Sequence, residues 1–149
     1  MKAVFPGSFD PFTKGHEAVV NRAINYFETI YIAIGENSTK SSFFDLEQRI
    51  KHIQSLFEDN RIKVITFNGL TVDLCQRLET NIILRGLRDG KDFEYEKSIA
   101  HMNYKMSNID TFFLLTNEEL SSINASIVRE IFKNGGKISD FVTNSHILV

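Results

Sequence analysis

The sequence predicts an α/β protein: a Rossmann-like, doubly wound, five-stranded parallel sheet with helices on both faces. Three observations carry that expectation. Five short β-like runs, mostly apolar, alternate with longer segments whose apolar residues recur at helical spacing. Each connection is long enough to return the next strand parallel to the last, which requires a right-handed crossover of a dozen or more residues. The stretch Phe5-Pro6-Gly7-Ser8-Phe9-Asp10-Pro11-Phe12-Thr13-Lys14-Gly15-His16 follows the first apolar run and precedes the first amphipathic one. It reads as a rigid strand-to-helix loop, of the kind that places a helix N-terminus against an anion.

In order, Lys2 to Phe5 is the first predicted strand, and Val19, Val20, Ala23, Ile24 and Phe27 share one face of the first helix. Ile30 to Ile34 is a continuous apolar run, as in a strand buried on both faces, and Gly35 to Phe44 is a polar loop carrying Lys40. Asp45 with Gln48 matches a capping pair ahead of Leu46, Ile50, Ile53 and Phe57 in the second helix. Ile62 to Phe67 is the third strand, and Leu70, Val72, Leu74, Cys75 and Leu78 suit a third helix. Asn81 to Leu84 is the fourth strand, with Arg85 to Gly90 read as the loop after it. The fourth helix runs from about Phe93 to Met106, with Tyr95, Ile99, Met102 and Met106 on one stripe. Thr111 to Leu115 is the fifth strand, Thr116 to Asn124 a polar connection, and Ile127 to Phe132 the core of a last helix closed by Gly135-Gly136. A short turn is expected around Ser139 to Val142.

At 149 residues, 42% hydrophobic and 24% charged, the chain suits one domain spanning residues 1–149. A formal charge of −2 and a pI of about 6.1 argue against a general nucleic-acid or membrane-surface binder. The single cysteine, Cys75, cannot form an intramolecular bridge, and no apolar run approaches 18 residues. Together these features predict a cytoplasmic protein.

In doubly wound sheets ligands bind beyond the carboxyl ends of the strands, where the strand order reverses. The loops expected there hold Ser8 to His16, Lys40, Leu70 to Thr71, Arg85 to Arg88, and Asn117 to Ser126. Lys40, Arg85 and Arg88 are permanent cations that suit a substrate with several phosphates. Taken alone, Lys40 reads as an ordinary surface lysine, and His16 equally as a helix-start residue or a site residue, with Thr13-Lys14-Gly15-His16 favouring the site; Arg129 reads as a solvated helical arginine, with a reach to the phosphates from the first turn of its helix as the alternative. Arg85 and Arg88 flank Gly86 directly after a buried strand, which favours a binding role.

Thr13-Lys14-Gly15-His16, within the frame Pro6-Gly7-Ser8-Phe9-Asp10-Pro11, resembles the (His/Thr)-x-Gly-His signature of the nucleotidyltransferase superfamily. A second block comprises Ile83-Leu84-Arg85-Gly86-Leu87-Arg88, Asp92-Phe93-Glu94-Tyr95-Glu96 and Ala100-His101-Met102-Asn103. It closely resembles the phosphopantetheine adenylyltransferase family of coenzyme A synthesis, and the likeness covers nearly the whole chain.

That resemblance implies transfer of the adenylyl group of ATP to 4′-phosphopantetheine, with release of pyrophosphate and with Mg²⁺ neutralising the triphosphate. It also implies a homohexamer. Carried over by position, His16 is the catalytic residue and binds ATP. Ser8, Phe9, Gly86, Leu87, Arg88, Glu96 and the segment Leu120, Ser121, Ser122, Ile123, Asn124, Ala125 and Ser126 fall on the ATP side. Ser8, Lys40, Thr71 and Arg85 fall on the phosphopantetheine side, and no residue is implied as a protein metal ligand. By that resemblance, relatives more often carry threonine at the position of Ser8 and methionine or leucine at that of Thr71, and usually a serine-rich run where this chain has Asn124-Ala125-Ser126; a relative's aromatic residue is missing at Leu120. Two alternatives stay open on the sequence: a related nucleotidyltransferase with another phosphate acceptor, such as nicotinamide mononucleotide or glycerol phosphate, and a nucleotide-binding module without turnover.

Overall fold

The computed structural model describes residues 1–36 and 41–149. Five strands, β1 (Lys2–Gly7), β2 (Thr29–Gly35), β3 (Ile62–Phe67), β4 (Ile82–Leu87) and β5 (Asp110–Leu115), form one sheet in the order β3-β2-β1-β4-β5. Every pairing is parallel. Helices α1 (Lys14–Ala23), α2 (Leu46–Leu56), α3 (Thr71–Arg77) and α4 (Gly90–Ser107) make the four crossovers, and α5 (Ala125–Lys133) follows the sheet.

Alternation along the strands divides the core in two. Ala3, Phe5, Ile30, Ile32, Ile34, Ile82 and Leu84 pack with Val19, Val20 and Ala23 of α1 and Ile53 of α2. Val4, Ala33 and Ile83, one residue out of phase, pack with Val72, Leu74 and Cys75 of α3. Both faces of the sheet are therefore covered, which is why β1 and β2 carry continuous apolar runs at its centre. Cys75 is fully buried, and that burial pushes its thiol up to about 11. A third cluster, Phe44, Val128, Ile138, Val142 and Leu148, fastens α5 and the C-terminal segment to the start of α2.

The chain departs from the predicted elements in two places that bear on function. β4 continues through Leu87 instead of ending at Leu84, because Arg85, Gly86 and Leu87 pair in register with Phe113, Leu114 and Leu115 of β5. Backbone bonding does not need an apolar side chain, so the polar Arg-Gly step interrupts the pattern and not the strand. Arg85 thus projects from a strand, not from a loop. The C-terminal segment also has more structure than one turn: after the turn at Ile138 to Val142, Ser145–Leu148 forms a 3₁₀ helix packed near α2.

The order of the strands reverses between β1 and β4, and there the sheet opens. β1 and β4 share a single register pair, Val4 with Ile83. Two residues further on, Pro6 faces the same way as Val4 and has no N–H to continue the ladder. The gap that results is the floor of the site.

Candidate active site

A cleft of about 690 Å³ lies over this opening, lined from β1 and its loop by Pro6, Ser8, Phe9, Asp10 and Thr13, and from α1 by His16. Arg85, Gly86, Arg88, Asp92 and Glu96 line it from the other side, and Leu120, Ile123, Asn124, Ala125 and Ser126 from above α5. A second, smaller and mainly apolar pocket of about 290 Å³ adjoins it, lined by Gly35, Phe67, Thr71, Ile99 and Asn103. Pro6, Gly7, Arg85, Tyr95 and Glu96 border both.

His16 is held by local backbone geometry. Thr13 is the N-cap of α1, and its side chain accepts from the His16 N–H. In return, the Thr13 N–H donates to His16 Nδ1 at 2.9 Å, so a histidine fills the place that Glu or Gln takes in an ordinary capping box. Nδ1 is therefore the acceptor nitrogen, and the ring's proton sits on Nε2. Phe5, Phe9 and Phe12 surround the imidazole at centroid distances of 5.1–6.3 Å. Burial first, then the charges of Arg85 and Arg88, push it down to about 4. At neutral pH it is an uncharged N–H donor.

The loop before His16 is tightly made. Phe9 has φ of 46°, in the left-handed region, and its ring lies over Gly7, where an added Cβ would stand 2.9 Å from Phe9 Cζ. Arg49, buried in α2, donates to the Ser8 carbonyl at 2.7 Å and to the Phe44 carbonyl at 3.0 Å. Arg129 of α5 donates to the Asp10 carbonyl at 2.8 Å and to Ser126 Oγ at 3.0 Å, bracing the loop instead of projecting into solvent. Asp10 itself accepts from the Phe43 and Phe44 N–H groups at 2.7 and 2.8 Å. Sequence reasoning gave Asp10 and Thr13 no separate role, although both belong to the signature frame.

The two arginines on the opposite wall are each paired. Glu96, 9% exposed, receives Arg85 through both oxygens at 2.7 and 3.1 Å, and Arg85 also donates to the Pro6 carbonyl. Asp92 receives Arg88 through both oxygens at 3.0 and 3.1 Å and accepts the Arg88 N–H as well. The Arg88 guanidinium holds the Asp92 carboxyl below the usual carboxylate range. Asp92 was missed as a site residue, yet its i, i+4 spacing from Arg88 was a readable signal.

Other predicted site residues fall at varied distances from the cleft. Gly86 lines it and also lets α1 approach β4, since a Cβ there would stand 2.7 Å from Val19 Cγ2. Leu87 is buried, and its carbonyl accepts from Thr116. Ser121 donates to the Glu118 carbonyl and Ser122 is exposed; neither is among the residues lining the cleft. Asn124 caps α5, accepting from the Ser126 and Ile127 N–H groups at 2.8 and 3.3 Å, so two of that helix's free donors are already engaged. Thr71 opens α3 and borders the second pocket, whereas Lys40 lies outside the described residues.

Such a cleft suits a polyanion: it offers a neutral donor fixed in one tautomer, two arginines held in place, and a helix N-terminus. The comparisons with known proteins agree. The cytidylyltransferase-like family matches residues 4–131. A phosphopantetheine adenylyltransferase of Flavobacterium psychrophilum is 50% identical over 142 residues, 95% of this chain and 94% of the relative. One of Bacteroides thetaiotaomicron is 46% identical over 142 residues, again 95% and 94% of the two chains. Among solved structures, a bifunctional NMN adenylyltransferase/ADP ribose pyrophosphatase from Francisella tularensis superposes with a TM-score of 0.71 at 17% identity, over 98% of this chain and 48% of that one. That likeness concerns the fold alone. With identity near one half sustained along almost its full length, the chain belongs to the phosphopantetheine adenylyltransferase family.

Proposed function

We propose that this cleft transfers the adenylyl group of ATP to 4′-phosphopantetheine, giving 3′-dephospho-coenzyme A and pyrophosphate. The observation that carries the mechanism is the neutral His16, with its proton on Nε2, facing two fixed arginines across the gap between β1 and β4. A phosphate monoester has a second pKa of about 6 and is mostly dianionic at pH 7, so it attacks without a general base. Its oxygen forms a bond to the α-phosphorus as the bond from that phosphorus to pyrophosphate breaks. Catalysis is then positioning and charge stabilisation. His16 Nε2–H donates to an α-phosphoryl oxygen, and Arg88 with the start of α5 holds the departing phosphates. Arg85 and Ser8 hold the acceptor phosphate, Lys40 serves the same group, and the pocket beside Thr71 takes the apolar pantetheine arm.

Magnesium enters with the nucleotide, as Mg–ATP. The carboxylates of Asp10, Asp92 and Glu96 are all engaged by other donors. Among the described residues no three His, Cys, Asp or Glu side chains converge. These residues do not fit a resident ion, so no step is assigned to one.

A homohexamer is supported by α4, where Tyr95, Met102 and Met106 stay 54–71% exposed on the stripe that includes Ile99. A solution mass near six times the 17.1 kDa chain is expected by light scattering, and a monomer would oppose it. A cytoplasmic location is favoured by the free, buried Cys75, and among the described residues no helix is long and apolar enough to cross a membrane.

The activity is tested by measuring pyrophosphate release from ATP with 4′-phosphopantetheine, nicotinamide mononucleotide or glycerol phosphate as acceptor. Release with phosphopantetheine alone is the expected result. Release only with another acceptor would overturn the assignment, and release with none would favour a binding module.

A further inference from the structure

His16 lines the cleft from the first turn of α1, and that turn is tied to the C-terminal segment. The Lys14 N–H, one of the donors that a helix leaves free at its start, bonds the Phe141 carbonyl at 2.9 Å. Three residues further along α1, the Glu17 carboxylate accepts from Thr143 Oγ1 at 2.8 Å. The two bonds grip the turn before and after His16. On its other side the segment is fastened to α2, where His52 Nε2 bonds the Thr143 carbonyl at 2.7 Å and Asn144 Nδ2 donates to Ser55 Oγ at 3.2 Å. Ile138 and Val142 of the same segment pack with Val128 of α5, the helix whose start lines the cleft. The capping box with Thr13 sets the direction of the imidazole within its turn; where the turn itself stands in the cleft is a separate requirement.

We infer that Thr143 is a positioning residue for His16: through its bond to Glu17 it holds the first turn of α1 at its working place in the cleft. Thr143 is not among the residues lining the cleft, so it reaches the chemistry through α1. Phe141 contributes a backbone carbonyl, which any residue would supply. The Thr143 hydroxyl is the part of the grip that a side chain controls. A donor to the transition state works only at the right distance, and a misplacement of about 1 Å can cost on the order of 10² in rate. The oxygen that His16 serves gains charge as the bond to pyrophosphate breaks, so a shifted turn loses turnover before it loses substrate binding.

This inference rests on His16 acting in the proposed adenylyl transfer. The experiment measures kcat and the KM values for ATP and phosphopantetheine in the wild type, Thr143→Val, Thr143→Ser, Glu17→Ala, the Thr143→Val/Glu17→Ala double variant and Asn144→Ala. Thr143→Val keeps the branched shape and loses the hydroxyl. It is expected to lower kcat by about tenfold, with both KM values changed by less than about twofold. Thr143→Ser restores the hydroxyl and should return kcat to within about twofold of the wild type. Glu17→Ala removes the same bond from the other side, so the double variant should fall less than about twofold below either single one. Asn144→Ala loosens the segment from α2 without touching α1, and its kcat should stay within about twofold of the wild type. An unchanged kcat in Thr143→Val, a raised KM with kcat kept, no recovery in Thr143→Ser, additive losses in the double variant, or an equal loss of kcat in Asn144→Ala would each overturn the inference. A wild type that forms no product with phosphopantetheine would instead overturn the proposed reaction.

Discussion

The two walls of the cleft hold their polar groups by different means. On the β1–α1 wall, His16 is fixed within four residues, by the capping box it makes with Thr13. On the β4–α4 wall, Arg85 and Arg88 are fixed by carboxylates that α4 brings back, 11 and 4 residues along the chain. The first arrangement gives a neutral donor whose direction is set by a helix terminus. The second gives charge that is already compensated, so the cleft is less positive before substrate arrives than a count of its arginines suggests. One wall is built for direction, the other for charge held in place.

The sharpest way to break that contrast is to remove the neutral donor. His16→Ala is expected to lower turnover by about 10²–10³, the cost of about 3–4 kcal/mol seen when one transition-state donor is lost. The fold should survive, which circular dichroism checks; near-normal turnover would take His16 out of the mechanism. Gly86→Val attacks the contact that joins the walls, because a Cβ there meets Val19 at 2.7 Å. A loss of about 1–3 kcal/mol in denaturant unfolding is expected from such overpacking.

Asp92→Asn frees Arg88 from its carboxylate and tests the second wall alone. KM for ATP should rise by about tenfold as the guanidinium loses its fixed orientation, whereas a lower KM would mean that compensation, not positioning, dominates.

Acid stability draws the walls apart in another way. His16 sits near 4, and burial also lowers His52, whose Nε2 bonds the Thr143 carbonyl at 2.7 Å while its buried Nδ1 has no partner among the described residues. Both lie below the ordinary value of 6.5, so the unfolded chain takes up these protons first. Stability is full above about pH 6.5 and falls as pH drops towards 4. The depressed Asp92 acts only below the usual carboxylate range and leaves this window to the histidines. The thermal midpoint should fall by several degrees between pH 7 and pH 5, at about 2–4 °C per kcal/mol for a chain of this size. An unchanged midpoint would contradict these histidine shifts. The smallest effect is expected from Ala125→Ser, which restores a hydroxyl beside an already capped helix: less than about twofold in KM for ATP.

Much of this was legible in the sequence where cause and effect lie close together. The apolar runs gave the strands because a sheet covered on both faces needs no polar residue in its centre, and Asp45 with Gln48 does form the capping box its spacing predicts. The signature around His16 could be read because its structural work is done by neighbours. The Arg85–Glu96 pairing could not, since it depends on where α4 returns across β4, and no local pattern records that. Nor could the continuation of β4 past Leu84, which is decided by the partner strand. Arg129 looked like a solvated helical residue for the same reason: its acceptor, the Asp10 carbonyl, is 119 residues away in the chain.

The claim that binds these observations is that His16 works as a neutral donor from Nε2. ¹⁵N NMR of the ligand-free protein, followed from pH 8 to pH 3.5, reads both the tautomer and its titration. A proton on Nε2 throughout the neutral range, with a midpoint near 4, is the result expected. A proton on Nδ1, or a midpoint near the ordinary 6.5, would contradict it.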